Sequence, residues 1–278
     1  MKRLVKLLNW EINRFAKFFA VLCLVTLLSQ FIGLILYVRN FMNQVNEVLQ
    51  INAMTMSGYI AHHYLSANFL AYSGTLWFDA PIGLGVATLL LYVFLIWYRE
   101  WGGKGTFIYR LLMLPTARMN VYMAKLATIL LFVLGLVAFQ ALILIPEIHF
   151  FNAMIPSGLR INISLDPIQY QSTLLTLLLP RYLVEWFLYY GAGLMVVVVI
   201  FTAILMERSF KLKGIALGVL YGIVAGFVFF LPVLISTTWY PNYFYPSEVV
   251  KMEIIVGIFI ISGSLWISSY LLRKRITL

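Results

Sequence analysis

Charge is what this sequence has least of. Only 11% of its 278 residues are Asp, Glu, Lys or Arg, while 63% are hydrophobic and 16% are aromatic. A soluble domain carries about 25% charged residues, so this chain cannot be wrapped in a solvated shell and reads as a polytopic membrane protein. Cysteine is nearly absent as well. The single Cys23 lies inside an apolar run, which excludes an intrachain disulfide and a thiolate metal cluster. Two common hydrolase arrangements, H-E-x-x-H and G-x-S-x-G, do not occur. The stretch Gly102-Gly103-Lys104-Gly105-Thr106 looks like a phosphate loop but fails its template, because Gly105 stands where Ser or Thr is required. The chain therefore offers no nucleotide site of its own, and neither a cofactor nor a metal is expected in it.

Ionisable groups within the apolar runs are also scarce. Intramembrane enzymes and ion-coupled carriers depend on such groups, and the candidate here is Glu185, with Arg181 four residues before it at the spacing of a helical ion pair. His62 and His63 are adjacent, so on a helix they point about 100° apart and share a metal only with help from His149 or a carboxylate. No solenoid repeat and no low-complexity linker divides the chain, so a single transmembrane domain over 1–278 is expected.

What the sequence does have is long apolar runs. A spanning helix needs about 20 mostly apolar residues to cross a hydrocarbon core of roughly 30 Å. Six runs qualify, at about 18–38, 81–98, 126–145, 182–206, 214–236 and 254–272. They are continuously apolar rather than alternating, which predicts helices and excludes a barrel. The start MKRLVKLLNWEINRFAK is cationic, but the run after it is too long for a signal peptide and reads as a retained anchor. Leu4, Leu7, Leu8 and Phe15 fall near one helical face with Lys6, Glu11 and Arg14 elsewhere, which predicts an interfacial helix over 1–17, the alternative being a plain extension of the first span.

The net charge of +10 would suggest nucleic acid in a soluble protein. Here the cations sit between the apolar runs, where they orient the chain. Sixteen Lys and Arg fall on one side of the spans and four, Arg39, Arg160, Arg181 and Lys251, on the other. The positive-inside rule then puts both termini and the segment 98–125 on the cytoplasmic side of the cell membrane, with 39–80, 146–181 and 237–253 outside. In the last of these Trp239, Tyr240, Tyr243 and Tyr245 suit an interfacial aromatic belt.

Segment 98–125 interrupts the apolar pattern with five cations and three glycines. Gly102, Gly103 and Gly105 allow a sharp turn, and Thr106 can cap a short helix from Phe107. Ile108, Leu111 and Leu112 recur at helical spacing, and Pro115 ends the helix at Leu114. An apolar helix of about two turns could lie on the membrane or enter a groove on a soluble partner. Glu100, Gly105-Thr106, the aliphatic run, Leu114-Pro115, Arg118 and Lys125 resemble the cytoplasmic segment of ABC-2 type transporter permeases. The plan of the whole chain resembles that family too, although the insertion 101–104 and the long segment 39–80 depart from it.

The resemblance implies an all-α membrane protein with six transmembrane helices in an ABC-2, type V exporter-like fold. It implies that Glu100, Gly105, Thr106, Phe107, Ile108, Arg110, Leu111, Leu112, Leu114, Pro115 and Arg118 form a coupling helix docking on a separate cytoplasmic ATP-binding subunit, which would hold ATP and Mg. A second permease copy or a sister permease would complete the unit, with lipid around it and no nucleic acid. The expected function is export of an amphipathic, lipid-like or peptide substrate. The alternatives are an antimicrobial-peptide resistance or sensing permease, with 39–80 binding the peptide, and a membrane enzyme or structural protein outside the ABC class.

The orientation can be checked by labelling intact cells with an impermeant thiol reagent after Cys23→Ser and single cysteines at Ser57, Gly103, Ser209 and Asn242. Positions 57 and 242 should label from outside and the other two only after permeabilisation; external labelling at 103 would reverse the assignment.

Overall fold

Continuous apolar sequence leaves backbone amides only one partner inside a membrane, the carbonyl one helical turn back. The structure, a computed structural model, follows that rule. It describes residues 2–61, 66–101, 117–161, 173–241 and 243–275, and among these the chain is helical with no named strand. The helices are α1 (Lys2–Ile51), α2 (Met56–Ala61), α3 (Phe69–Ser73), α4 (Leu76–Trp101), α5 (Arg118–Met154), α6 (Thr173–Leu178), α7 (Leu183–Phe210), α8 (Leu212–Leu234) and α9 (Pro246–Lys274). Six of them, α1, α4, α5, α7, α8 and α9, are long and apolar enough to cross a membrane.

Several helices outrun the spans read from hydropathy. No glycine or proline occurs between Met1 and Ile32, and α1 passes without a break through the junction expected between an interfacial helix and the first span. It continues to Ile51, well into the segment expected outside the membrane. Similarly, α5 runs through Pro146 to Met154 and α4 begins five residues ahead of Pro81. Proline removes one helical hydrogen bond. In α5 that loss is offset by apolar packing on either side of the proline, through Leu144 and Phe151, both buried.

The chain forms two compact units. Unit 1 comprises Met1–Phe15, Leu89–Leu131 and Tyr182–Leu278; unit 2 comprises Ala16–Thr88 and Phe132–Arg181. In unit 1, α7 and α8 join through Lys211 alone, held at φ 54°. So abrupt a turn brings the helices into backbone contact. A Cβ on Gly214 would stand 2.2 Å from the Met206 carbonyl oxygen, and one on Gly218 3.0 Å from that of Ala203. Glycine is therefore required at 214 by close approach. Helix α9 packs on the pair through hydroxyls: Thr202 meets Ser268 at 2.9 Å, and Tyr221 and Ser264 share a hydrogen bond. Trp239, Tyr240, Tyr243 and Tyr245 are exposed, as an interfacial belt requires.

Unit 2 is held by a core in which α1 contributes Leu34, Val38, Phe41 and Val45, α3 contributes Phe69 and Tyr72, and α5 contributes Leu144 and Phe151. Buried amides tie it together. Gln30 Nε2 donates to the Phe78 carbonyl and to Gln140 Oε1, each at 3.2 Å, and the Tyr72 hydroxyl donates to the Gln30 carbonyl. Residues 67 and 160 form an isolated parallel bridge, with Ala67 N donating to the Leu159 carbonyl at 2.7 Å and Ile161 N to the Ala67 carbonyl at 2.9 Å.

The glycine contact yields a clean comparison. Gly214→Val should destabilise the detergent-solubilised protein by about 2–3 kcal/mol, because backbone must move. Gly222→Ala, where added atoms meet nothing within 4 Å, should be neutral or slightly stabilising. Thermal unfolding of the two variants decides; equal midpoints would remove the close approach.

Candidate functional site

Burying charge in an apolar chain is costly unless each charge is paired and hydrogen-bonded. Five charged side chains nevertheless meet in unit 1: Glu11 and Arg14 from α1, Arg99 and Glu100 from the last turn of α4, and Lys125 from two turns into α5. Lys125 is the centre. Its Nζ lies 2.7 Å from Glu11 Oε1 and 2.8 Å from Glu100 Oε1, and donates to the Ile96 carbonyl at 2.9 Å. All three ammonium hydrogens thus have acceptors. The side chains of Lys125 and Glu100 are wholly buried.

Two guanidiniums close the rim. Arg99 Nη2 reaches Glu11 Oε2 at 3.2 Å and Arg14 Nη1 reaches Glu100 Oε1 at 3.4 Å. Both arginines are about a third exposed, so they contribute less than the buried core of the cluster. Two carboxylates against three cations leave one net positive charge. Aromatic surfaces help to hold it. The Lys125 ammonium lies 5.3 Å from the Trp97 ring centroid, and the Arg14 guanidinium 4.1 Å from that of Trp10. Trp97 in turn meets Phe201 of α7 edge-on at 5.4 Å, and Phe15 stacks on Tyr92 at 3.8 Å.

The cluster occupies a particular place in the chain. Glu100 is the penultimate residue of α4 and Lys125 stands near the start of α5, so both ends of the intervening segment are fastened to one buried lock that also holds α1. Arg118, the first residue of α5, donates from Nη1 to the Leu272 carbonyl in the last turn of α9 at 2.8 Å. That is the favourable place for a cation, beside unsatisfied carbonyls at a helix C-terminus. On the other side, Tyr98 donates to Glu207 Oε2, and the Arg208 guanidinium lies 5.1 Å from the rings of both Tyr98 and Trp101.

Of the residues selected from sequence, Glu100 and Arg118 are thus anchored, one to Lys125 and Arg14, the other to α9. Gly105, Thr106, Phe107, Ile108, Arg110, Leu111, Leu112, Leu114 and Pro115 lie outside the described residues, as do His62 and His63. His149 is exposed with Nδ1 3.1 Å from the Ile145 carbonyl oxygen, and among the described residues no three His, Cys, Asp or Glu gather as metal ligands. Glu185 is half-buried in the first turn of α7.

Two acids need correction. Glu11 was placed away from the apolar face of the N-terminal helix, yet it is buried and paired. The signal was in the spacing: 4, 7, 8, 11 and 15 share one face, so Glu11 lies at its middle. Glu147 falls outside the 126–145 span expected from hydropathy, but α5 carries it into the core of unit 2. No family model, curated protein or solved structure matches the chain.

Breaking the lock from its centre should be severe. Lys125→Met leaves Glu11 and Glu100 buried against one another and should cost about 3–5 kcal/mol, read as lost thermal stability in detergent. The triple variant Lys125→Met, Glu11→Gln, Glu100→Gln removes the stranded charges and should recover much of that loss. A triple variant no better than Lys125→Met would show that the charges are not what the cluster is built on.

Proposed function

We propose that the chain is the membrane-spanning permease of an ATP-driven ABC transporter of the ABC-2 type, exporting an amphipathic substrate and energised by a separate ATP-binding subunit. The observation that carries this reading is the buried lock that joins Glu100, at the end of the helix before segment 102–116, to Lys125, about two turns into the helix after it. A loop with no mechanical task does not need its flanks fixed by a dry Glu-Lys-Glu cluster. A segment that receives force does, because slack at its ends would absorb the displacement before it reached the helices. With Glu100 and Lys125 held together and Arg118 fastened to α9, a push on the segment moves α4, α5, α1 and α9 as bodies. Rigid-body motion of this kind is how packed helices pass a local event to a distant one.

In this reading Thr106 caps the coupling helix, Phe107, Ile108, Leu111 and Leu112 insert into a groove on the ATPase, and Pro115 ends the helix. Arg110 faces the partner's rim. ATP-driven closure of two ATPase subunits on two permeases then switches the spans between inward and outward openings. The resemblance of Glu100, Gly105-Thr106, Leu114-Pro115, Arg118 and Lys125 to the family's cytoplasmic segment supports the assignment, as do six helices of spanning length.

The test is paired. Protein extracted from its native membrane should bring an ATP-binding subunit with it, at about one per permease. Leu111→Glu and Leu112→Glu, which put an unpaired carboxylate into the groove, should each lower the retained ATPase by at least about tenfold while permease yield stays normal. Lys104→Gln should change retention by less than about twofold. Absence of any ATPase from the wild-type preparation, or full retention and unchanged ATP turnover in both Glu variants, would overturn the assignment.

A further inference from the structure

Between the end of α8 and the start of α9 the surface of unit 1 holds a cavity of about 500 Å³. Tyr243, Phe244 and Tyr245 wall it before α9 begins. Glu248 and Lys251 line it from the first two turns of that helix, with Met252 and Ile255 beyond them.

The wall is set in place by its own contacts. Helix α8 ends in a π-helical turn, Ile235–Trp239, closed by Tyr240 N donating to the Ile235 carbonyl at 3.0 Å. The Tyr240 ring then lies 6.1 Å from that of Tyr243 and 6.4 Å from that of Phe244, and the last two meet edge-on at 5.0 Å between centroids. Tyr245 N donates to Glu248 Oε2 at 3.0 Å, which caps α9 and holds the carboxylate beside the rings.

Length fixes the depth of the cavity. Helix α9 has 29 residues, which at about 1.5 Å each span roughly 43 Å, close to the 40–45 Å of a bilayer counted with its headgroups. With Arg273 and Lys274 in the last turn at one headgroup layer, the first turns fall in the other.

Two charges at that depth have no use within the chain. Glu248 and Lys251 are exposed and three residues apart, hence neighbours on one helical face, yet the ion pairs among the described residues include neither. One carboxylate next to an ammonium does not make a metal site, and a wholly apolar guest would leave both charges unanswered. A guest carrying both signs answers them. Met252, Ile255 and Phe259 are exposed at helical spacing, so the cavity continues into an apolar strip along α9.

We propose that this cavity binds the headgroup of a zwitterionic phospholipid. The lipid phosphate sits on the Lys251 ammonium, the lipid ammonium lies between the Glu248 carboxylate and the rings of Tyr243 and Tyr245, and an acyl chain follows Ile255 and Phe259. Aromatic faces attract a quaternary ammonium, and an interfacial belt alone would need no opposed pair of charges beside it. The site stands apart from the transport reading: a lipid can bind here with no ATPase present, so either can fail alone.

The experiment uses the purified full chain in detergent, given equal amounts of dioleoyl phosphatidylcholine, phosphatidylglycerol and diacylglycerol and then washed. Native mass spectrometry counts the lipids that stay bound. Wild-type protein should keep about one phosphatidylcholine per chain and no diacylglycerol, since exposed charges and rings each contribute about 1 kcal/mol or less but act together. Glu248→Gln keeps the capping oxygen, so it should unfold at the wild-type temperature; it should nevertheless retain about three- to fivefold less phosphatidylcholine, with phosphatidylglycerol undiminished. Lys251→Gln should lower retention of phosphatidylcholine by a similar factor, whereas Lys274→Gln, at the far end of α9, should leave it unchanged. The pair Tyr243→Leu and Tyr245→Leu should cost phosphatidylcholine about threefold and spare phosphatidylglycerol. No phosphatidylcholine on the washed wild-type chain, unchanged retention in both Gln variants, or diacylglycerol held as well as phosphatidylcholine would overturn the proposal.

Discussion

The ammonium of Lys125, enclosed between Glu11 and Glu100 with its third hydrogen on the Ile96 carbonyl, is the constraint from which the rest of unit 1 follows. An ammonium buried in an apolar chain needs an acceptor for each of its hydrogens, so three helices must come together at this point. Helix α1 must bring its third turn, α4 its last and α5 an early one to the same point. Once they are there, Trp97 is buried beside the ammonium and meets Phe201 at right angles, which carries the arrangement on to α7. The α7–α8 turn at Lys211 and the hydroxyl contacts to α9 then complete the unit.

That arrangement bears on function. Residues 102–116 lie between Glu100 and Lys125 in sequence, and those two side chains are held 2.8 Å apart at Oε1 and Nζ. Arg118 reinforces this from the other side by its bond to the Leu272 carbonyl, which links the start of α5 to the end of α9. The transport reading asks for that combination, an apolar contact helix set on an unyielding base, and neither half suffices alone. An apolar helix on frayed ends would dock and transmit nothing; a fixed base without a contact helix would have no input.

The six helices were legible in the sequence because continuous hydropathy is a property of the residues themselves. Their ends were not. Pro146 and Pro81 read as boundaries since proline weakens a helix locally, but Leu144 and Phe151 bury on either side of Pro146, and packing outweighs one missing hydrogen bond. Glu11 differs for another reason: its polarity sets it apart from the apolar face, while its angular position among Leu4, Leu7, Leu8 and Phe15 puts it on the packed one. Glu100 and Lys125 were legible singly, as flanks of an interrupted segment, and their pairing was not, because it depends on two helices returning to one point and on a third bringing Glu11 between them.

The two units treat buried polar groups differently. In unit 1 the lysine at the centre has all its donors taken, although Glu100 Oε2 and Arg99 Nε beside it are buried without a partner, so the order of the cluster rests on the Lys125 ammonium and its three acceptors. In unit 2 the amides of Gln30 and Gln140 and the hydroxyl of Tyr72 are satisfied, while Glu147 has both oxygens bare. A buried carboxyl without a hydrogen-bond partner bears the cost of its own desolvation, which the satisfied amides around it do not. The contrast lies in the pairing of whole groups: Glu100 leaves one oxygen bare but meets Lys125 and Arg14 through the other, while Glu147 has both oxygens without a partner.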